Sequence, residues 1–351
     1  MITGGAGFIG CNATQYFAKK SYEVFIIDNL CRETARVNLA WMRRNNVPFT
    51  FYQSDIRDKD AVEKIFKEQA VDCVLHLAAQ VAVTCSVTDP RYDFEVNALG
   101  TFNILEAVRK HSPTAIFINA STNKVYGKIA DKKVVEKEER YQYADATFQG
   151  VDETQQLDFY SPYGCSKGVA DQYTLDYARI YGMKSVTVRQ SCIYGPHQLG
   201  IEDQGWVAWF IIAQLLGKPI TVYGNGKQVR DLLFVSDLVA YYDKIISSID
   251  QVKGKAFNLG GGMRNALSLR QFFSILENIS GVPVSYSTDK WRPGDQEMFV
   301  SNNARAEELL GFSPQVSCQE GIAKIFYWLK EYYQKDTIIA QNSFTENLLG
   351  Q

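Results

Sequence analysis

The stretch SPYGCSKG, residues 161–168, sets Tyr163 four residues before Lys167. On a helix that spacing stacks both side chains on one face. A phenol titrates near pKa ~10, and it becomes a usable base when an ammonium and an oxidised nicotinamide both favour its phenolate. An ordinary amphipathic helix would carry the same pair, so its companions decide the reading. GGAGFIG places Gly4, Gly7 and Gly10 at three-residue intervals, with Phe8 and Ile9 between the last two, where a strand passes into a helix. Glycines there permit a tight turn, close approach of backbone N–H groups to a pyrophosphate, and close helix-to-strand packing. Asp28 ends the next apolar run, where a carboxylate can accept from both ribose hydroxyls, with Asn29 beside it. Its charge repels a 2′-phosphate and favours NAD over NADP, while Arg32 is close enough to offer such a phosphate a partner. Asp55 and Ile56 end a third run, and Leu77, Ala78, Ala79 and Gln80 a fourth, all at the sheet edge where open α/β folds bind ligands. His76 reads as a packed strand residue.

A second chemical cluster is ASTNKVYG, residues 120–127, which follows the apolar run Ala115 to Ile118 as a loop follows a buried strand. The rest of the composition narrows the chemistry. Lys plus Arg total 37 against 39 acids, a net charge of -2, so no broad basic field draws nucleic acid or an anionic membrane. The seven cysteines are scattered, without a Cys-x-x-Cys pair, and the three histidines lack ligand spacing. That excludes a disulfide framework and a zinc site, and suits a reducing compartment. No apolar run nears the ~20 residues that span a bilayer, so the expectation is a soluble, cytoplasmic protein.

These residues need a scaffold. Runs at Val24 to Ile27, Phe49 to Tyr52, Cys73 to Leu77 and Ala115 to Ile118 read as buried strands, and helical patterns at Phe8 to Lys19, Lys59 to Gln69 and Tyr92 to Lys110 separate them. The alternation predicts an α/β fold: a Rossmann-type, doubly wound parallel sheet. A helix Tyr163 to Tyr181 and a strand Ser185 to Val188 continue it. Beyond Gly195 the pattern predicts a helix Trp206 to Leu216, extended pieces at Ile220 to Tyr223 and Val229 to Phe234, helices after Ser236, from Leu269 and from Gln319 to Tyr333, and a short strand near Val284. The expected division is a cofactor domain over 1–190 with 232–260 interleaved, a smaller C-terminal substrate lobe over 191–231 and 261–335, and a mobile tail over 336–351. The first strand is reduced to Met1-Ile2, against the ~5 residues usual for a central strand, as a late-called start or a clipped terminus would leave it.

The sequence resembles the extended short-chain dehydrogenase/reductases that act on nucleotide-sugars. The likeness covers nearly the whole chain and rests on TGGAGFIG, DNLC, SDIRD, HLAAQ, STNKVYG, the Tyr163/Lys167 pair, IYGP and GNGKQVRD. It implies that Thr122 hydrogen-bonds the reacting hydroxyl, that Asn97 in EVNALGT supports Lys167, often through water, and that Arg230 and Arg292 clamp a diphosphate with Asp295 near a ribose. An arginine's fork of donors suits that task. Ser121, Gln190 and Ser191 are expected near the nicotinamide, and Thr84, Asn123, Cys192, Gln204, Trp206 and Tyr223 near the substrate, Trp206 having core packing as its alternative. Relatives that eliminate water carry Asp-Glu directly after the threonine. Here Asn123-Lys124 stands there, and an amide and an ammonium cannot supply that acid and base.

Within this family, TQQLDFYSPYGCSKGVADQYTLDYARIYG and EDQGWVAWF look most like the enzymes that invert carbon 2 of CDP-linked dideoxyhexoses. The departure is RQSCIYG, with Cys192 where many relatives have asparagine and the carbon-2 enzymes a small hydroxyl residue. The resemblance implies an NAD-dependent epimerase of CDP-paratose and CDP-tyvelose, in lipopolysaccharide O-antigen synthesis, acting through a 2-keto sugar. A UDP-hexose 4-epimerase is the alternative, and an NAD-binding sensor or scaffold the alternative of another class. Relatives also pair through helices here matched by Tyr92 to Lys110 and Tyr163 to Tyr181, so a homodimer or homotetramer is expected.

Overall fold

The computed structural model describes residues 1–291 and 295–349, with side chains as far as Gln334. Arg292 lies outside the described residues. The chain opens as β1 (Ile2–Thr3), α1 (Phe8–Lys19), β2 (Phe25–Asp28), α2 (Glu33–Arg44), β3 (Thr50–Gln53), α3 (Lys59–Glu68) and β4 (Cys73–His76). Short helices α4 (Val83–Thr88) and α5 (Pro90–Phe94) lead through a π-helical turn, Glu95–Leu99, into α6 (Gly100–His111) and then β5 (Ile116–Thr122). A hairpin of β6 (Val134–Glu136) and β7 (Tyr141–Tyr143) precedes α7 (Pro162–Tyr181) and β8 (Lys184–Gln190).

The remainder alternates between two bodies. After β9 (Cys192–Tyr194) come α8 (Trp206–Leu215), β10 (Thr221–Tyr223) and β11 (Val229–Phe234). Next, α9 (Val235–Ser247) and α10 (Ile249–Val252) return the chain to β12 (Ala256–Leu259). It then leaves again through β13 (Ala266–Ser268), α11 (Leu269–Ser280), β14 (Ser287–Asp289), β15 (Met298–Phe299), α12 (Ala304–Leu310) and α13 (Cys318–Leu349).

The main sheet runs β3-β2-β1-β4-β5-β8-β12, and every pairing in it is parallel. Strand order reverses between β1 and β4, which opens a crevice at the carboxyl edge. Short as it is, β1 pairs on both sides, Ile2 with Ile26 and with Leu75. One face of the sheet buries Ile26, Leu75, Ile118 and Phe257 against Phe17, Met42 and Tyr241. The other buries Ile27, Val74 and Phe117 against Val62, Phe66, Leu105 and Tyr177. The smaller core gathers Phe210, Ile211, Phe272, Leu276, Ile322 and Leu329. Strand β11 divides the cores: Leu232 and Phe234 enter the small one, while Leu233 enters the large one, as alternation along a strand requires.

Three differences from the periodicity have local causes. The helix expected over Tyr92 to Lys110 is broken by the π turn, where Asn97 is held by side-chain hydrogen bonds. Val284 packs as buried coil, its N–H donating to Glu277 at 2.8 Å, and the strand falls later, at the wholly exposed Ser287–Asp289. The last helix passes the expected end at Tyr333 because no glycine or proline interrupts 322–349. No described helix is long and apolar enough to cross a membrane, and no group of metal-ligating side chains occurs among the described residues.

Candidate active site

The glycine turn lies at the β1–β4 reversal. Gly4 has φ +68°, and a Cβ there would stand 2.8 Å from the Ala78 backbone nitrogen. At Gly10 a Cβ would stand 2.2 Å from the Gly4 carbonyl oxygen. Gly7 caps α1 without any side-chain acceptor, which leaves the N–H groups at the helix start, over Phe8 and Ile9, for an anion. Leu77 and Ala78 cross the turn, their N–H groups held by the Thr3 carbonyl and hydroxyl, and Ala79 follows. Asp28 accepts from the Ala6 N–H at 3.1 Å and the Leu30 N–H at 2.9 Å, and burial raises its pKa. This is a cradle only a backbone can line, with a carboxylate at the next strand end, and it fits a dinucleotide.

Around that cradle, side chains are committed in ways the sequence did not disclose. Asn29 donates to Asp55 at 2.9 Å, and Arg57 grips the same carboxylate with two N–H groups at 3.0 Å. Burial opposes its ionisation, yet Arg57 and Asn29 hold Asp55 down at about 2. Ile56 is buried, packed where a Cβ on Gly100 would stand. Arg32 donates to Gln204, so the β2 loop and the segment before α8 meet.

Tyr163 and Lys167 sit where the motif predicts. Ser161 caps α7 by accepting from the Gly164 N–H, and Pro162 occupies the first turn, where its missing N–H costs nothing. Thr122 closes β5 with its hydroxyl facing the Tyr163 phenol. Burial pushes that phenol up to about 12, against a lowering effect of Thr122. Lys167 donates to the Ala120 carbonyl at 2.6 Å, and burial lowers its pKa to about 8. The chain by itself therefore keeps the phenol protonated.

Other expected site residues have partners of their own. The Asn97 amide donates to Gln80 O, Asp93 and Ser166, and its oxygen accepts from the Gln80 N–H. Its direct tie toward Lys167 is thus to Ser166, the neighbour of Lys167 in sequence. The Gln80 side chain turns inward to Ala82 and Asp93. Ser121 donates to Asp171 at 2.7 Å, which leaves its hydroxyl oxygen as an acceptor only. Ser191 donates to the buried Asp231, and Gln190 to the Tyr242 hydroxyl. Thr84 is exposed on α4.

Asp93, fully buried, was missed, although Asp93 and Asn97 are four residues apart in DFEVN. So was the pair beneath the site, Arg189 and Asp171, 5% and 0% exposed, joined at 2.9 and 3.1 Å. Asp171→Ala would leave a guanidinium buried and uncompensated, so it is expected to cost about 3–5 kcal/mol in a denaturant titration. A loss below about 1 kcal/mol would mean that water reaches Arg189.

On the far side, Arg230 donates to Asp295 at 2.5 Å and to the Val229 carbonyl at 2.8 Å. Asp295 thus pairs with the arginine of the expected clamp. Cys192 lies beside Trp206, Lys124 and Arg230, and burial raises its pKa. Trp206 packs edge-on to Phe272 at 5.2 Å, against the smaller core. The Tyr223 hydroxyl donates to Glu202 at 3.0 Å. Asn123 is buried and accepts from the Thr122 hydroxyl at 3.4 Å. Lys124 is partly buried and points to Gln296.

Known proteins resemble this chain along nearly its whole length. A family model described as GDP-mannose 4,6 dehydratase matches residues 1–325. The chain is 41% identical over 333 residues to a CDP-paratose 2-epimerase of Salmonella typhi, covering 93% of this chain and 98% of that one. A UDP-glucose 4-epimerase of Thermotoga maritima, solved with UDP-glucose, superimposes with a TM-score of 0.82 at 29% identity, over 95% of this chain and 98% of that one. A Thermus thermophilus UDP-glucose 4-epimerase in complex with NAD gives 0.76 at 32%, over 93% and 97%.

Proposed function

The chain belongs to the GDP-mannose 4,6 dehydratase family of extended short-chain dehydrogenase/reductases, and from that premise we propose that it is an epimerase inverting carbon 2 of a CDP-linked dideoxyhexose, CDP-paratose or CDP-tyvelose. It is an NAD-dependent enzyme. The observation that carries the carbon-2 reading is the 41% identity to a CDP-paratose 2-epimerase along 93% of the chain, joined to a site with Thr122, Tyr163 and Lys167 in place and no acid–base pair after the threonine.

Bound NAD supplies a hydride acceptor that can also return the hydride. The chain's own residues do the rest. Tyr163 takes the proton of the carbon-2 hydroxyl while Thr122 orients that oxygen. Lys167, fixed by the Ala120 carbonyl, holds its charge close to the phenolate. The 2-keto sugar turns over within the pocket so that carbon 2 receives the returning hydride on its other face, and Tyr163 gives the proton back to the carbon-2 oxygen. Asn123 and Lys124 offer no pair for removing water, which separates this site from that of a dehydratase despite the family's description.

The test is incubation with CDP-tyvelose in deuterated water, followed by proton NMR. Conversion to the carbon-2 epimer without deuterium at carbon 2 is expected. Turnover of UDP-galactose instead would transfer the assignment to a 4-epimerase.

We also infer a homodimer or homotetramer, because Phe94, Leu99 and Phe102 on the α5–α6 side and Tyr173, Ile180 and Tyr181 on α7 are exposed. Isolated apolar side chains are normal, but a cluster this large marks an interface. Sedimentation at micromolar concentration should give a dimer or larger, and Phe102→Asp should yield monomer. Wild-type protein sedimenting as a monomer would refute this.

A further inference from the structure

Lys124 carries more than a surface role. Its N–H donates to the Thr122 hydroxyl at 3.3 Å, so its backbone is fixed over the group that orients the reacting oxygen. Its side chain turns into the wall made by Cys192, Arg230 and Asp295. Among the described residues the Nζ finds only the Gln296 amide oxygen, at 3.5 Å, the limit of a hydrogen bond. Burial pushes its pKa down, and Arg230 pushes the same way against Asp295 and Cys192. Asp295 is itself taken by Arg230 at 2.5 Å. Asp231, also near Cys192, already accepts from Ser191 and from the N–H groups of Gly262 and Ser301. Among the described residues, Lys124 and Arg230 thus share the single carboxylate of Asp295, an arrangement that an anion would complete.

Resting on the carbon-2 reading above, we propose that Lys124 binds the β-phosphate of the nucleotide-sugar and acts as a specificity-determining residue. The reasoning is topological. In a nucleotide-sugar, only carbon 2, the anomeric carbon and the glycosidic oxygen separate the carbon-2 hydroxyl from the β-phosphate. For a carbon-4 hydroxyl the pyranose ring intervenes. A lysine whose backbone is anchored to the Thr122 hydroxyl, and whose ammonium lies one side chain away beside Arg230, sets the phosphate close to the reacting oxygen, which suits carbon 2 and not carbon 4. It also gives the keto sugar a fixed pivot while its ring turns over. An ammonium serves there as a compact charge, beside the planar fork of Arg230.

The experiment is calorimetric titration of NAD-loaded wild type, Lys124→Met, Lys124→Gln and Lys124→Arg with CDP and with CMP, which differ in the β-phosphate. Lys124→Met and Lys124→Gln should weaken CDP by roughly ten- to a hundredfold and leave CMP within about threefold, while Lys124→Arg recovers most of the loss. Equal losses for CDP and CMP, or no loss for CDP, would overturn the proposal. So would loss of bound NAD in both neutral variants, since Lys124 would then be holding the fold. If the wild type prefers UDP, the base assignment fails, and the UDP-to-UMP ratio then reads Lys124 by the same criterion.

Discussion

Tyr163→Phe is expected to keep its bound NAD and lose epimerisation by roughly three orders of magnitude, the scale of a lost general acid–base group. The substitution removes one oxygen from a ring that is 7% exposed and otherwise unchanged in shape. Among the described residues the one side-chain hydroxyl acting on it is that of Thr122, so folding should be little affected. Both directions of the reaction need the same proton, and both must fail together. Cofactor content after denaturation, and NMR turnover of CDP-tyvelose, separate the two effects. Activity within about tenfold of wild type would mean that another group moves the proton. Full function in cells would revive the sensor or scaffold reading.

Gly10→Ala should abolish cofactor retention, and here the contrast with Gly7→Ala is informative. A Cβ on Gly10 would meet the Gly4 oxygen at 2.2 Å and the Gly5 Cα at 2.6 Å, both backbone atoms that cannot move without opening the turn. Overpacking of this kind costs about 1–3 kcal/mol or more, and it moves the N–H groups that line the cradle. A Cβ on Gly7 meets the Gly4 oxygen at 3.1 Å, with nothing else within reach. Gly7→Ala should therefore melt close to wild type while still binding NAD more weakly, because the methyl stands where the pyrophosphate approaches. NAD titration beside thermal unfolding checks both. Gly10→Ala holding NAD as tightly as wild type would show that the cofactor lies elsewhere.

What was legible in the sequence follows from how local the signal is. The strand runs, α1 and the Ser-Pro start of α7 are set by neighbours in sequence, and they fall where periodicity and capping put them. Tyr163, Lys167 and the glycine turn are legible for the same reason, as each motif is contiguous. Partnerships across the chain were not. That Ser121 belongs to Asp171, Ser191 to Asp231 and Arg32 to Gln204 depends on tertiary approach of segments distant in sequence. The π turn is another such case: Asn97 sits in a helical pattern, and only its buried partners Asp93 and Ser166 make the extra residue worthwhile. The burial of Lys124 likewise depends on β9, β11 and the segment around Asp295, all distant in sequence.

The interleaving of the two bodies bears on how the chain is made. On the ribosome, β8 emerges with its outer edge unpaired, and its partner β12 follows only after residues 191–255 have been synthesised. Throughout that interval a buried, β-branched strand (Val186, Thr187 and Val188) presents open backbone donors and acceptors, the template on which another nascent chain could add. Production at high synthesis rates should therefore favour inclusion bodies. Slower translation or holding chaperones would shelter β8 until Ala256–Leu259 arrives to close the sheet.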